Sequence, residues 1–138
     1  MLLACVRMGV DQLADAAAAA RALDGGGIVR LRAFLRCYAL VIMDDFGRCV
    51  VRTGDELLSP ESRAEFRAIK REVDQSLCAL IEEAVADGSA AVADARIAAA
   101  ALAGALNWTA RWQRADGTLS ADEVATRMAD FLILSLRP

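Results

Sequence analysis

Arginines and carboxylates, without a single histidine, are the side chains that this 138-residue sequence offers for chemistry. Imidazole is the usual general base near neutral pH and the commonest metal ligand. Its absence excludes Ser/His and Cys/His nucleophile pairs and nearly all familiar zinc sites. Cys5, Cys37, Cys49 and Cys78 lie far apart in apolar or amphipathic runs, with no C-x-x-C and no metal-ligand spacing. They read as reduced thiols of a cytoplasmic protein, packed as small hydrophobes. The pairs Asp44-Asp45 and Glu82-Glu83 read as a helix junction and a surface patch, because neither has a partner that would separate two carboxyl pKa values for acid/base work. Arg48 and Arg52, following Phe46, could hold a carboxylate or phosphate in their planar guanidinium forks; the plainer alternative is two solvated cations near a helix end. No catalytic group, metal or cofactor is expected, and the chain is not read as an enzyme.

Sixteen basic and nineteen acidic residues leave a formal charge of −3. That is not the basic excess needed to neutralise many DNA phosphates. The apolar share is 57%, aromatics are 5% and there are only two prolines, which is the composition of a helical protein. A chain of this length supports one domain around one core, over 1–138. The opening MLLACVRMGV lacks a basic n-region, carries Arg7 and runs on into Asp11, and the apolar run Ala98 to Leu106 is too short to span a bilayer. No targeting or membrane segment is expected.

The elements that must position these groups are legible from spacing. Leu3, Val6, Val10, Leu13, Ala17 and Ala20 recur every three or four residues and predict a helix over roughly 2–22, stopped by Asp24-Gly25-Gly26-Gly27. Ile28, Leu31, Leu35, Tyr38, Ala39 and Ile42 predict a central helix to about Asp44. Asp45 could cap a short helical turn over 46–52, before Thr53-Gly54-Asp55. Ser59-Pro60 starts a helix of about 28 residues, or about 42 Å, carrying Phe66, Ile69, Val73, Leu77, Leu80 and Ala84 up to Asp87-Gly88. Asp94 caps a helix through Trp112, and the Ser120-x-x-Glu123 capping box opens a last helix with Val124, Met128, Phe131, Leu132 and Leu136. The fold class is therefore all-α, a bundle of five to six helices.

Ala98 to Ala105 reads AAAALAGA and sets Ala100 and Gly104 in a small-x-x-x-small relation, a surface that another helix backbone can approach closely. An internal helix among bulky neighbours explains the same pattern. Beyond it, Leu106-Asn107-Trp108-Thr109, then Arg111-Trp112, then Asp116-Gly117-x-Leu119-Ser120-x-x-Glu123, closely resembles the end of the ligand-binding domain of TetR/AcrR-type transcriptional regulators. The rest of the chain is similar to that domain in element order, and Leu58-Ser59-Pro60-Glu61 resembles the start of its long helix before the two dimerisation helices. Gln113 and Ala115 depart from the aromatic and the proline often found there, in the loop between the last two helices.

The resemblance implies a homodimer built from the last two helices, about 95–113 and 121–136, paired with their two-fold mates as a four-helix bundle. Ala100, Ala101, Gly104, Ala105, Val124, Met128, Phe131 and Leu132 are the residues expected at that interface. It implies also an operator-reading helix-turn-helix, which is expected to be absent from these residues, since nothing before Met1 and no basic helix further along would supply it; the uncapped opening inside a helix favours a truncated chain. The expectation is an effector domain parted from its reader by truncation or a misplaced start, or else a protein that naturally has none, so that operator DNA would be a partner only through a missing N-terminal domain.

A hydrophobic or amphipathic effector is the implied ligand, and some members with this C-terminal block respond to acyl-CoA thioesters, for which Arg48 and Arg52 would be apt contacts. Tyr38, Ile42, Phe46, Phe66, Ile69, Val73, Asn107, Trp108 and Trp112 are the candidate lining, although large apolar groups at helical spacing also simply fill cores. Met8, Met43 and Met128 could add adaptable walls. Asn107 needs a hydrogen-bond partner if buried, and ligand, backbone and two-fold mate are all open. Whether it and the two tryptophans face the pocket or the dimer is open as well. Two other functions fit the composition: a small helical enzyme orienting an anionic substrate with Arg48, Arg52 and Glu82, and a stand-alone helical sensor or adaptor.

Overall fold

The computed structural model describes residues 2–44, 47–48 and 58–138, and these hold five α-helices and no strand. They are α1 (Leu2–Arg21), α2 (Gly27–Met43), α3 (Pro60–Ala86), α4 (Ala95–Trp112) and α5 (Ala121–Leu134). Each end falls within about two residues of the position read from the sequence, the margin at which helix termini are in any case defined. The turn expected over 46–52 and its Asp45 cap lie outside the described residues except at Gly47 and Arg48, where the Arg48 N–H donates to the Asp44 carbonyl at 3.0 Å.

Local chemistry sets most boundaries. The Ser59 side chain accepts the Ser62 N–H at 3.2 Å with Pro60 in the first helical position. Asp94 accepts the Arg96 N–H at 2.9 Å, and Ser120 accepts the Glu123 N–H at 3.1 Å. Such caps each stabilise a helix start by about 1 kcal/mol. Gly25, at φ 113, supplies the left-handed conformation that turns the chain after α1.

No side chain of its own caps α2. Its first amides are satisfied from the connection between α3 and α4: the Gly27 N–H donates to the Asp87 carboxylate and the Ile28 N–H to the Ser89 hydroxyl oxygen at 2.9 Å. The Ser89 hydroxyl, with the Gly27 and Ser89 amides, holds the Asp87 carboxyl below the usual carboxylate range. This capping across the fold brings α2 so close to α3 that a Cβ on Gly27 would lie 2.5 Å from the Ala84 Cα.

Helix α2 touches all four others, as its broad apolar face requires. Leu31, Phe34, Leu35 and Ala39 are fully buried along it. On its outer edge Arg32 pairs with Asp130, and Arg36 with Asp122 and Thr126, aligning α5. Leu136, expected within the last helix, is buried just beyond it, and its carbonyl accepts the Ala91 N–H at 2.8 Å.

The buried side chains fall into two clusters. The larger draws on every helix, from Leu13 and Ala17 of α1 to Ile133 of α5. The smaller joins Val6 and Val10 of α1 to Phe66 and Ile69 of α3. Beside it Arg7 donates to both Glu72 carboxylate oxygens at 2.9 Å, a bidentate pair across the same two helices.

Candidate functional site

The expected lining is divided between the two clusters. Phe66 and Ile69 belong to the smaller cluster, Tyr38 to the larger, and Ile42 packs against the larger one. Val73 packs against both. Val6 and Val10, which the spacing places on one helix face, are buried together with Phe66 and Ile69. Met43 is buried in the main core, Met128 is half-buried and Met8 is exposed. Phe46 and Arg52 lie outside the described residues.

Asn107 finds its partner within the chain. The Tyr38 hydroxyl donates to its Oδ1 at 2.9 Å, linking α2 to α4. Burial pushes the Tyr38 phenol up to about 12, with the nearby Asp74 carboxylate adding to the rise and the Asn107 bond opposing it. Because the folded value exceeds the ordinary one of 10.0, the neutral phenol's stabilising share is complete below pH 10 and is lost as pH rises through about 12. Tyr38→Phe should cost about 1 kcal/mol at neutral pH through the lost hydrogen bond. It should also remove the loss of stability seen between those two pH values, as urea unfolding at stepped pH will show. Tyr38 is the sole tyrosine, so tyrosinate absorbance reads its titration directly.

Trp108 and Trp112 lie instead on the outer surface, 60% and 47% exposed. The reason is helical phase. Ala99, Leu102, Ala103, Leu106 and Ala110 form the buried face of α4, whereas Ile97, Ala100, Ala101, Gly104, Trp108 and Trp112 run along the opposite one. Ile97 is 68% exposed, the Arg111 guanidinium lies 5.8 Å from the Trp108 ring centroid, and a Cβ on Gly104 would meet nothing within 4 Å. Helix α5 is similar, with Phe131 72% and Leu134 55% exposed. Of the other expected interface residues, Ala105, Met128 and Leu132 are half-buried at the border of this surface. Val124 instead points into the core with Ala125, Ala129 and Ile133.

Arg48 is not held out to solvent. Its Nε donates to the Met43 carbonyl at 2.7 Å, and its other two nitrogens donate to the Gln113 carbonyl and side-chain oxygens. Gln113, a departure from the family pattern in the sequence, is only 4% exposed. Glu82 is exposed and takes a contact from the Cys78 thiol at 3.7 Å. Burial, with Glu82 adding to it, raises that thiol above its ordinary pKa, which disfavours a reactive thiolate. No geometry among the described residues brings Arg48 and Glu82 together on one substrate, and none of their Cys, Asp and Glu side chains form a group of three that could hold a metal. A separate groove of about 440 Å³ lies at the other end of α2, lined by Ile28, Val29, Arg32, Ser89, Ile133, Arg137 and Pro138. No helix among the described residues is long and apolar enough to cross a membrane.

Solved structures share this architecture. A TetR/AcrR-family transcriptional regulator from Thermobifida fusca is 31% identical with a TM-score of 0.78, over 96% of this chain and 71% of that one. The TetR-family regulator PfmR from Thermus thermophilus is 27% identical with a TM-score of 0.82, over 96% of this chain and 73% of that one. AibR, solved with isovaleryl coenzyme A and operator DNA, is 22% identical with a TM-score of 0.76, over 99% of this chain and 73% of its own, and shares the fold. No curated protein matches the chain. The family model for the tetracyclin repressor-like C-terminal domain matches residues 24–136, and with the five-helix order around α2 it shows that this chain belongs to the TetR-type family of transcriptional regulators through that C-terminal domain.

Proposed function

We propose that residues 1–138 form one effector-binding and homodimerisation domain, whose ligand is a hydrophobic or amphipathic small molecule that modulates DNA binding by the intact regulator. The observation that carries the pairing is a helix apolar on both faces. One side of α4 is buried against α2 and α3, and the other presents Ile97, Trp108 and Trp112 around a strip of alanine and glycine. A helix apolar all round is stable in water only when both faces are covered. A second copy covers this one through the outer faces of α4 and α5, in an isologous contact.

Tyr38, Ile42, Phe66, Ile69, Val73 and Asn107, with Val73 touching both clusters, line the effector site in this reading. It combines apolar walls with one polar pair, the usual make-up of a small-molecule site. The acyl-CoA bound by AibR is an amphipath of the same class. With Arg48 committed to protein oxygens, the anionic end of such a ligand would need another cation. DNA is read by a domain outside these residues, consistent with a net charge of −3. The protein works in the cytoplasm, where its operator is.

Thermal unfolding and native mass spectrometry with decanoate and decanoyl-CoA test the ligand class. Saturation at about 100 times the dissociation constant stabilises the folded state by about 2.7 kcal/mol, a shift of several degrees. One of the two ligands should give that shift and a one-per-chain adduct; no shift and no adduct with either contradicts the effector assignment.

A further inference from the structure

We infer that Arg48 is a positioning residue for the dimer surface, joining the C-terminal ends of α2 and α4 so that the state of the α2 terminus is transmitted to the tryptophan face. The inference rests on the proposed reading of that face as the contact with a second copy.

The last carbonyls of a helix have no partner within it and carry its negative end. Met43 closes α2 and Gln113 caps α4, and both of their carbonyls are bonded by the one Arg48 guanidinium. Two helix C-termini converging on a point repel each other, and a cation between them removes that cost. A planar fork with donors on separate edges serves this geometry, whereas a lysine ammonium, a single point of charge on a flexible stem, cannot reproduce it.

The second observation lies on α4. Thr109 and Gln113 are the buried polar side chains among the described residues, one in its last turn and the other its C-cap. Thr109 Oγ1 donates to the Leu106 carbonyl at 2.6 Å, and Gln113 receives Arg48 on its backbone and side-chain oxygens. Gln113 Nε2 donates in turn to the Arg114 carbonyl at 3.0 Å. A terminal turn would ordinarily fray, but this one is fixed from inside by polar contacts, while its outer side carries Trp112 beside Trp108. The Tyr38–Asn107 bond fixes the preceding turns to α2 in the same way. Beside the apolar packing of α4 against α2 and α3, two polar bridges thus tie it to the α2 side, Tyr38 within that helix and Arg48 just beyond its end.

Sedimentation across a concentration series tests this on the wild type, Arg48→Ala, Arg48→Lys, Gln113→Met and the double variant Arg48→Ala/Gln113→Met. Far below the melting temperature, Arg48→Ala and Arg48→Lys should each weaken the dimer about tenfold although Arg48 is not on the contact surface. The double variant should be no weaker than Arg48→Ala alone, since both changes break the same bridge. Iodide quenching of Trp108 and Trp112, the only tryptophans, should rise in parallel. Unchanged dimerisation in both Arg48 variants, with folding verified by circular dichroism, overturns the inference and leaves the dimer reading standing. So does a loss of decanoyl-CoA binding with dimerisation intact, which would make Arg48 a ligand contact. A wild type that stays monomeric throughout the series overturns the dimer reading, and the inference with it.

Discussion

Gly27→Ala should lower the unfolding temperature by roughly 10 °C, the consequence of about 3 kcal/mol lost in a chain of this size. The added carbon would lie 2.5 Å from the Ala84 Cα and 2.8 Å from its nitrogen. Both are backbone atoms, so no side-chain rotation relieves the overlap, and α2 must move away from α3. That movement also pulls the Gly27 and Ile28 amides from Asp87 and Ser89, which cap α2 in place of a residue of its own. Because α2 contacts every other helix, the displacement is felt throughout the core. Calorimetry on the variant decides the matter, and an unchanged transition would mean that the two helices are not in this contact.

Gly104→Arg should do the opposite, leaving the fold intact while raising the dimer dissociation constant about a hundredfold, equivalent to about 3 kcal/mol. A Cβ at Gly104 meets nothing within 4 Å in the chain, and glycine inside a helix is about 1 kcal/mol less favourable than most replacements. The substitution therefore favours the helix of an isolated chain. In a two-fold pair, each guanidinium would be forced into the partner's apolar surface between Ala100 and Trp108 and lose its water. Unfolding of the dilute variant, followed by circular dichroism, should show a transition no lower than that of the wild type at equal dilution. A large drop there would mean that Gly104 is packed within the chain.

Most of the fold was legible because local signals agreed with one another. Ser59-Pro60, Asp94 and Ser120 all cap the helices their spacing announced, and the centrality of α2 followed from its broad apolar face. The capping of α2 by Asp87 and Ser89 was not legible, since it joins residues about 60 apart in sequence that only the tertiary fold makes neighbours. Of the expected lining, Phe66 and Ile69 share one cluster, Tyr38 and Ile42 belong with the other, and Val73 touches both, a division that size and apolarity alone do not reveal. Trp108 and Trp112 could have been assigned outward from phase alone, because 97, 101, 104, 108 and 112 recur on one stripe and 99, 102, 103, 106 and 110 on the opposite one. Size and apolarity alone leave both directions open, because an apolar face that pairs with another chain has the same composition as one that faces a core. Val124, expected at the interface, is instead buried in the core, which composition alone does not distinguish. Arg48 and Gln113 were legible as residue types but not as partners, which depends on where two helix ends meet.

Light scattering on size-separated wild-type protein and Gly104→Arg, loaded at equal concentration, tests the central claim most directly. The claim predicts a wild-type mass twice the 14.7 kDa of one chain and a folded variant at the single-chain mass. A wild type that runs as a folded monomer at every concentration, with Trp108, Trp112 and Phe131 left in water, would contradict it.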